Sequence, residues 1–480
     1  MRSTLLLVAI LVGACSAGDW QEPGSIFERT FRMMHYQPPP PPPSASSRSG
    51  SLQNLWIKQK LDHFNAEDER TWDMVRDSLH YITNDQFYRD GGPLFIFVGG
   101  EWPIAAPTLM GGHMFDMARE HSGYMFYTEH RYYGQSHPTS DLSTENLKYL
   151  HVRQALADLA HFIITMKATV PGLANSKVIL VGCSYSATMV TWFKRLYPDL
   201  ATGCWASSAP LFAKVDFSEY KEVASQSIRL LGGEQCGRRI KRAIEKMESM
   251  LGSKRGAEVK AMLKICNNFD ERNAMDVSSL FNFIASTIAG MAQIHNESVL
   301  CSLCGLQPCV NASSLSLFKG SQHTGNRRHM QVHRQICQRS KNYSFTFAGR
   351  QWFYQTCNEY GWYQTANSTS QLFGTKVPAS YFTAICADAY GAPFTSDYIH
   401  KQADDTNEFF GGLSPDVENV YMTHGQLDPW RSMGVQNATQ ATIIPLHSHC
   451  SDLGSIEDSN TAEMRASKQR IAELVRTWVG

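Results

Sequence analysis

A serine lies where a buried strand would meet a helix. An apolar, β-branched run that ends at Val181 is followed by Gly182, Cys183 and then Ser184, and 188–197 has the pattern of a helix. Small residues, Gly182 and Ser186, stand two positions before and after the serine. Such a tight turn excludes larger side chains there and presents the serine oxygen at the top of a sheet. The short pattern also occurs by chance, but its strand and helix context predicts a nucleophile elbow with Ser186 in place of the usual glycine.

A serine hydroxyl needs a base to accept its proton and a carboxylate to orient that base. Asp428 lies in the loop after a strand-like segment at 420–422, and His449 follows near the end of the chain. This is the order serine, acid, histidine that such elbows use. His447 is two positions earlier, and spacing alone does not choose between the two histidines. The pattern predicts a triad of Ser184, Asp428 and a histidine of this loop.

The same chemistry requires two backbone N–H groups directed at the negative charge that develops on the substrate oxygen. Tyr185, directly after the serine, is expected to supply one of them. The glycine-rich turn after the apolar run at 94–98 is expected to supply the other, from Gly100. The alternative is that Gly99 and Gly100 only form a turn.

Short apolar runs that alternate with helical periodicity surround these residues. Strands are predicted at 94–98, 124–128, 177–181 and 420–422, and a helix over 155–166, where apolar residues recur at spacings of three and four. Strand, helix, strand is typical of a parallel sheet in an α/β protein.

The region from 213 to 345 has a different character. It shows one apolar helical face among charged residues, many cysteines and no clear strand alternation, which predicts a helical insertion stapled by disulfides. The predicted organisation is a signal peptide, a linker, the first part of the α/β domain, the helical insertion and the second part, at 1–17, 18–53, 54–212, 213–345 and 346–480.

Composition limits the function classes. The 480 residues carry 44 Lys and Arg against 44 Asp and Glu, with 43% hydrophobic and 18% charged residues. A neutral chain lacks the basic excess that nucleic acids or anionic membranes attract, so neither is expected as a partner. The hydrophobic content predicts a large core, and the length exceeds what one simple core usually contains.

The N-terminus predicts export. Arg2, an apolar run at 5–12 and small residues up to Ala17 have the layout of a secretory signal peptide, although 12–15 also resembles a bacterial lipobox. No later apolar run is long enough to span a membrane, so no membrane anchor is expected. Six prolines at 38–43, followed by serines, predict a stiff spacer that runs into flexible chain.

Cysteines and glycosylation sequons fit the same compartment. Twelve cysteines, less Cys15 in the signal peptide, leave an odd number, so one thiol is expected without an internal partner. Cys301, Cys304 and Cys309 have a spacing that zinc could use, but export favours disulfides. Glycosylation is predicted at the Asn-x-Ser/Thr sequons, which are Asn296, Asn311, Asn342, Asn367 and Asn437.

With these segments identified, the chain resembles the S28 family of serine peptidases from about Gln59 to its end. The elbow at Ser184 is joined by five further motifs in order. They are Gln-Lys-Leu-Asp-His-Phe-Asn at 59–65, Glu-His-Arg-Tyr-Tyr-Gly-Gln-Ser at 129–136, Gln-Thr-Cys-Asn-Glu-Tyr-Gly at 355–361, Leu-Asp-Pro-Trp at 427–430 and Ser-His-Cys-Ser-Asp-Leu at 448–453. The last motif implies that the catalytic histidine is His449.

The resemblance implies an α/β-hydrolase fold with an inserted helical cap domain of the SKS type. It also implies a secreted or lysosomal exopeptidase that cuts peptides next to proline, of the Pro-X carboxypeptidase or X-Pro dipeptidyl peptidase type. The alternatives are a lipase or esterase on the same fold and a catalytically silent secreted binding protein. The mechanism requires no metal or organic cofactor, and the sequence leaves open whether the protein is a homodimer.

Some residues depart from the family pattern or have open roles. Cys183 and Ser186 stand where the family usually has glycine, and Cys183 is a candidate for the odd buried thiol. Trp102 replaces a frequent glycine and is a candidate for reshaping the substrate pocket. The candidates for reading the charged end of a peptide, each equally compatible with a structural ion pair, are Glu101, Arg131 and Glu359.

Overall fold

The structure is a computed structural model, and it describes residues 52–72, 78–263, 265, 269–294, 341, 343 and 348–480. The predicted signal peptide, most of the linker, Cys301, Cys304, Cys309 and the sequons at Asn296, Asn311 and Asn342 lie outside these residues. The two other predicted glycosylation sites are Asn367 and Asn437, and both side chains are exposed. Glycosylation at these two asparagines stays a prediction.

Ten strands occur in the described residues, and eight of them form one sheet. They are β1 (Leu52–Ile57), β2 (Leu79–Asn84), β3 (Leu94–Val98), β4 (Tyr124–Thr128), β5 (Val178–Cys183), β6 (Gly203–Ser207), β7 (Lys214–Asp216), β8 (Gly361–Tyr363), β9 (Val420–Gly425) and β10 (Ala441–Ile444). The large sheet has the order β1-β2-β4-β3-β5-β6-β9-β10. β2 is antiparallel to β1 and β4, and the pairs from β4 to β10 are parallel. This is the α/β-hydrolase topology, so the predicted fold class is confirmed.

Helices connect these strands. They are α1 (His113–Glu120), α2 (Thr144–Leu147), α3 (Val152–Thr169), α4 (Tyr185–Leu196), α5 (Glu219–Met250), α6 (Gly256–Met262), α7 (Ala274–Gln293), α8 (Gly349–Gln355), α9 (Ala379–Tyr390), α10 (Ser396–Phe410) and α11 (Ala462–Val479). A π-helical turn spans Thr356–Tyr360, and short 3-10 helices span Ala106–Leu109 and Pro429–Met433.

The central strands are buried on both faces, which explains their nearly continuous apolar runs. Along β3, Leu94, Ile96 and Val98 belong to one hydrophobic cluster, whereas Phe95 and Phe97 belong to a second. The first cluster includes the apolar faces of α3 and α4, and the second includes those of α1 and α11. The helices therefore cover the sheet on both sides, as parallel strands require.

The segment between β6 and β9 is mostly helical in its described part. β7 and β8 pair as a separate small parallel ribbon, and helices continue to Phe410. The large sheet resumes only at Val420, well beyond the boundary expected near residue 345. The helical character of the insertion matches the sequence-based expectation, and the division into domains stays a prediction. In the described residues, no helix combines the length and the apolar character that crossing a bilayer requires.

Candidate active site

Ser184 occupies a strained turn between β5 and α4. Its backbone has φ 57° and ψ −129°, and its N–H donates to the carbonyl of Ser207 at the end of β6 (2.9 Å). A Cβ atom on Gly182 would lie 2.4 Å from the carbonyl oxygen of Ser186 and 2.6 Å from the nitrogen of Ala187. Only glycine fits at this approach of backbone to backbone, so the glycine is part of the turn itself.

Ser186 stands where such elbows usually have glycine, and its side chain also stabilises the turn. Its hydroxyl accepts a hydrogen bond from the backbone N–H of Cys183 and donates one to the carbonyl of Cys183, both at 2.9 Å. These bonds close the turn across Ser184 from one side to the other. The sequence predicted a replacement that preserves volume, and the structure adds a stabilising interaction that glycine does not provide.

The side chains of Asp428 and His449 contact each other. Asp428 follows β9 and begins the 3-10 helix Pro429–Met433, where its side chain also accepts a hydrogen bond from the N–H of Trp430. Nδ1 of His449 donates to Oδ2 of Asp428 at 2.9 Å, and both side chains are buried. Because a carboxylate only accepts, this bond assigns the proton to Nδ1. His447 is instead within hydrogen-bond distance of the hydroxyl of Thr461 (3.1 Å).

The electrostatics keep Asp428 ionised. Burial acts to raise the pKa of its carboxyl group, but the charge and hydrogen bond of His449 outweigh burial and hold the pKa below its ordinary value. His424, on β9, is a second buried imidazole near this pair. Burial lowers the pKa of His424 to about 4, so this imidazole is neutral near pH 7 and does not compete as a cation for Asp428.

The loop that carries His449 is tied to the sheet by Asp452. Its buried carboxylate accepts hydrogen bonds from the hydroxyls of Ser207 on β6 and Thr423 on β9, both at 2.5 Å. The backbone N–H of Cys450 also donates to the hydroxyl of Ser208 (2.9 Å). The end of β6 therefore contacts the backbone of Ser184 on one side and the histidine loop on the other.

The end of α7 contacts the same loop from the helical region. The N–H of His449 donates to the carbonyl of Gln293 (3.2 Å), and the hydroxyl of Ser448 donates to the carbonyl of Ala292 (2.7 Å). The side-chain oxygen of Gln293 accepts from the hydroxyl of Tyr220 (2.6 Å) and the indole N–H of Trp430 (3.2 Å). Gln293 thus joins two helices of the insertion to both the acid loop and the histidine loop.

The two residues expected to form an oxyanion hole follow β5 and β3. Tyr185 is the first residue of α4, where backbone N–H groups are not used within the helix. The N–H of Gly99 donates to the carbonyl of Thr128 (2.8 Å) and continues the strand pairing, which favours Gly100 over Gly99 as the second donor. Trp102 packs close to Gly100, and its indole N–H donates to the hydroxyl of Tyr127 (2.7 Å).

Arg131 forms a buried ion pair, which is the structural one of the two roles that the sequence left open. Its guanidinium group is fully buried and forms a two-point ion pair with Asp158, with Nε–Oδ2 at 2.6 Å and Nη2–Oδ1 at 2.8 Å. It also donates to the carbonyls of Leu61 and Tyr149. Arg131 therefore holds the segment before β2 against the main domain, which is the structural alternative.

Glu359 is also engaged inside the protein. It is buried, and its carboxylate accepts from the N–H of Val152 (2.8 Å) and the hydroxyl of Tyr360 (3.0 Å) and lies 3.1 Å from Nδ1 of His151. Burial raises the pKa of Glu359, and these partners only partly oppose that effect. These contacts fit the structural role that the sequence left open for Glu359, and a role in reading a substrate end stays a prediction.

Glu101 is the third candidate for contact with a substrate end. It is buried directly after Gly100. Burial first, and then nearby negative groups that include Glu359 and Glu101, raise the pKa of the Tyr185 phenol well above its ordinary value. Glu101 is thus within electrostatic reach of the residue that follows Ser184.

A run of aromatic rings connects the histidine side of the site with the serine side. Ring centroids lie 6.5 Å apart between His449 and Trp430, 5.8 Å between Trp430 and Trp362, 4.5 Å between Trp362 and Tyr360, and 5.6 Å between Tyr360 and Tyr185. These aromatic side chains are buried. They form a continuous buried aromatic cluster between the two sides of the site.

The cysteine expectation needs a correction. Cys183 is not the odd thiol, because it forms a disulfide with Cys450. A second disulfide joins Cys357 to Cys386, and in the described residues the free cysteine is Cys204, which is buried on β6. Burial raises the pKa of its thiol to about 12, so Cys204 is unreactive near neutral pH.

Sequence reasoning missed Asp452, Gln293 and the Cys183–Cys450 disulfide. One signal was present for the disulfide, since one cysteine directly precedes Ser184 and another directly follows His449. Asp452 lies within the motif at 448–453, but the local sequence around Asp452 and Gln293 does not identify their partners, which lie far away in the chain.

Comparison with known proteins decides the family. The sequence profile described as serine carboxypeptidase S28 matches residues 59–471. The chain belongs to this family. The S28 chain is 29% identical over 455 residues to the thymus-specific serine protease of Mus musculus, covering 88% of this chain and 87% of that protein. It is 24% identical over 469 residues to the lysosomal Pro-X carboxypeptidase of Mus musculus, covering 93% and 91% of the two chains.

Solved structures that align with this S28 peptidase are less similar to it in sequence. Epoxide hydrolase VrEH1 from Vigna radiata aligns over 90% of this chain and 99% of that chain, at 10% identity with a TM-score of 0.35. Proline iminopeptidase from Mycobacterium smegmatis aligns over 84% and 96%, at 10% identity with a TM-score of 0.33. The order and direction of the strands described above, rather than these scores, define the fold.

Proposed function

We propose that this S28 serine peptidase is an exopeptidase that cuts next to proline, with Ser184, His449 and Asp428 as its catalytic triad. The single observation that carries the proposal is the buried hydrogen bond from Nδ1 of His449 to Asp428, in a chain whose elbow presents Ser184. That bond orients the imidazole so that Nε2 is the nitrogen left to act as base.

In the proposed reaction, Oγ of Ser184 attacks the scissile carbonyl carbon while Nε2 of His449 accepts the hydroxyl proton. Asp428 stabilises the resulting imidazolium. The tetrahedral intermediate collapses to an acyl-enzyme when His449 passes its proton to the leaving amine. Water then attacks the acyl-enzyme with His449 again as base, which releases the second product and restores the serine.

The developing oxyanion would be stabilised by the backbone N–H groups of Tyr185 and Gly100. Removal of one such donor in comparable enzymes raises the barrier by roughly 3–4 kcal/mol. Backbone donors have fixed positions, so they do not need to reorganise as the charge forms.

A preference for proline is supported by a relative of this chain. The murine relative named lysosomal Pro-X carboxypeptidase supports the same preference. Its name, the predicted signal peptide and the disulfides together support a lysosomal or secreted location.

The experiment uses fluorogenic Pro-X and X-Pro peptides in parallel with a short-chain ester, with Ser184→Ala as the control. We expect peptide hydrolysis that Ser184→Ala abolishes. Ester turnover without peptide turnover would instead support a lipase or esterase. The absence of any serine-dependent turnover would support a binding protein. The better of the two peptide series identifies a carboxypeptidase or a dipeptidyl peptidase.

We propose that Glu101 contacts the charged end of the substrate. Its carboxylate would pair with the ammonium group at the amino terminus of a peptide. Glu101→Gln is therefore expected to raise KM for a peptide with a free amino terminus and to leave KM unchanged for the same peptide after acetylation. An equal change for both peptides would give Glu101 a structural role only.

A further inference from the structure

The Cys183–Cys450 disulfide joins the immediate chain neighbours of two proposed catalytic residues. Cys183 directly precedes Ser184, and Cys450 directly follows His449, although the two cysteines are 267 residues apart in sequence. Both are buried, with 0% and 1% of their surface exposed. The bond therefore connects the end of β5 to the histidine loop at the point where the chemistry takes place.

The backbone at this point is not one that the local sequence favours. Ser184, Ser208 and Cys450 have positive φ angles of 57°, 58° and 52°. Residues with side chains rarely adopt this left-handed region, and they remain there only when surrounding contacts hold them. Here the N–H of Ser184 donates to Ser207, and the N–H of Cys450 donates to the hydroxyl of Ser208.

These hydrogen bonds reach β6, but they do not join the serine to the histidine directly. Asp452 likewise ties the histidine loop to β6 and β9, and the contacts of Ser448 and His449 reach α7. Among the contacts described above, the disulfide connects the elbow itself to the histidine loop. It limits the separation of the two backbones to the reach of two cysteine side chains.

We propose that Cys183 and Cys450 are positioning residues, whose disulfide keeps the base-bearing loop in register with the nucleophile. This inference rests on the proposed function, because it assigns the cross-link to the same site. Neither sulfur takes part in bond making or breaking. A displacement of a catalytic group by about 1 Å lowers turnover on the order of 10²-fold, and loss of the disulfide is expected to have an effect of similar size.

The test compares Cys183→Ala, Cys450→Ala and the double variant with the wild type. The matched control removes the Cys357–Cys386 disulfide with Cys357→Ala and Cys386→Ala, which also breaks a buried cross-link. For each protein, kcat and KM are measured on the better peptide, together with the thermal midpoint and the rate of labelling by a fluorophosphonate. The fluorophosphonate reports activation of Ser184 without depending on the peptide chosen.

We expect kcat and the labelling rate to fall roughly 10- to 100-fold in all three variants, with KM within about twofold of the wild type. Each single variant removes the same bond, so each should equal the double variant, whereas separate packing effects would add. The Cys357–Cys386 control should lose stability but keep its kcat. Additive losses, or a kcat within twofold of wild type in the double variant, would overturn the inference.

A second measurement covers the case in which a variant fails to fold. Wild-type enzyme is treated with a phosphine, which becomes a phosphine oxide by taking oxygen from water while the disulfide gains two electrons and two protons. Mass spectrometry after alkylation of a parallel sample identifies which disulfide opened. Loss of labelling that parallels opening of Cys183–Cys450 and returns on reoxidation would support the inference. Full labelling with this bond open would overturn it.

The reduction is performed with a chelator. Ligand atoms of Cys183, Cys450 and His449 lie within 4.8 Å of one another, and two thiolates with an imidazole are a set that zinc prefers. The chelator ensures that lost activity does not come from metal captured by the reduced site. If the oxidised wild type itself is not labelled, the proposed function fails and this inference fails with it; a failure confined to the variants or the reduced enzyme affects this inference alone.

Discussion

At the scale of single residues, Asp428 is the acid that we propose to orient the imidazole of His449. Asn at this position keeps the shape but presents an amide that can stabilise the wrong tautomer of His449 and no longer balances the imidazolium charge. We expect Asp428→Asn to lower kcat by roughly 10⁴-fold with little change in KM, by analogy with serine hydrolases in general. Steady-state kinetics on the proline peptides measure the effect.

The control for this prediction is Asp416→Asn at an exposed position. Both variants should retain the thermal midpoint of the wild type within a few degrees. A kcat for Asp428→Asn within tenfold of the wild type would exclude Asp428 as the orienting acid.

At the scale of elements, the elbow depends on contact between backbones. In Gly182→Ala the new methyl group meets the backbone of Ser186 and Ala187 at 2.4 and 2.6 Å, and neither atom can move without opening the turn. We expect the free energy of unfolding to fall by about 1–3 kcal/mol and turnover to be lost. Urea denaturation and peptide kinetics measure the two effects.

Gly454→Ala is the matched control, because a Cβ there meets nothing within 4 Å. It should leave stability and kcat near wild type. Equal effects of the two substitutions would contradict the close approach described at the elbow.

The end of α7 provides a second prediction at this scale. Gln293→Leu removes the acceptor for Tyr220 and Trp430, which leaves two buried donors without that partner. We expect a loss of about 1–3 kcal/mol in stability and a lower kcat, since the backbone N–H of Trp430 donates to Asp428 and its indole would lose the partner that holds it in place. Thr287→Ala on the same helix is the control. A kcat equal to that of wild type would show that this contact has no effect on the triad.

At the scale of the whole molecule, stability should depend on acidity. Burial lowers the pKa of His130 and of His424 to about 4, from the ordinary 6.5. Between these values the unfolded chain binds more protons than the folded chain, so the free energy of unfolding rises with pH. The neutral form of each buried histidine makes its full contribution to the free energy of unfolding above about pH 6.5, and this contribution is lost as the pH falls toward 4. Between pH 7 and pH 5 the loss is about 2 kcal/mol for each.

His130→Gln tests this dependence. The difference in unfolding free energy between pH 7 and pH 5, measured with urea, should shrink by about 2 kcal/mol even if the variant is less stable at both. His400→Gln, at an exposed position, should leave the difference unchanged. Glu359 has the opposite effect on the pH dependence of stability, because its pKa is raised by burial and acid therefore stabilises the folded state. This effect partly offsets that of the histidines in every variant, so the difference between His130→Gln and the wild type remains measurable. An unchanged slope in His130→Gln would contradict the prediction.

Short-range features of the sequence predicted much of the site. The apolar run before Ser184, the small residues around it and the order of serine, acid and histidine each depend on neighbours a few positions away. They predicted the elbow and the fold class because strand and helix preferences act over the same short distances. The motifs also separated His449 from His447, which spacing alone did not.

What the sequence by itself determined is therefore the fold class and the family, and it supplied the residues that are proposed for the site. Only the tertiary structure decided that Cys183 pairs with Cys450, that Arg131 pairs with Asp158, and that Gln293 contacts the histidine loop. The physical reason is that these contacts join residues far apart in the chain. Their partners are chosen by how the sheet, the loops and the helical insertion pack together, and no local pattern records that choice.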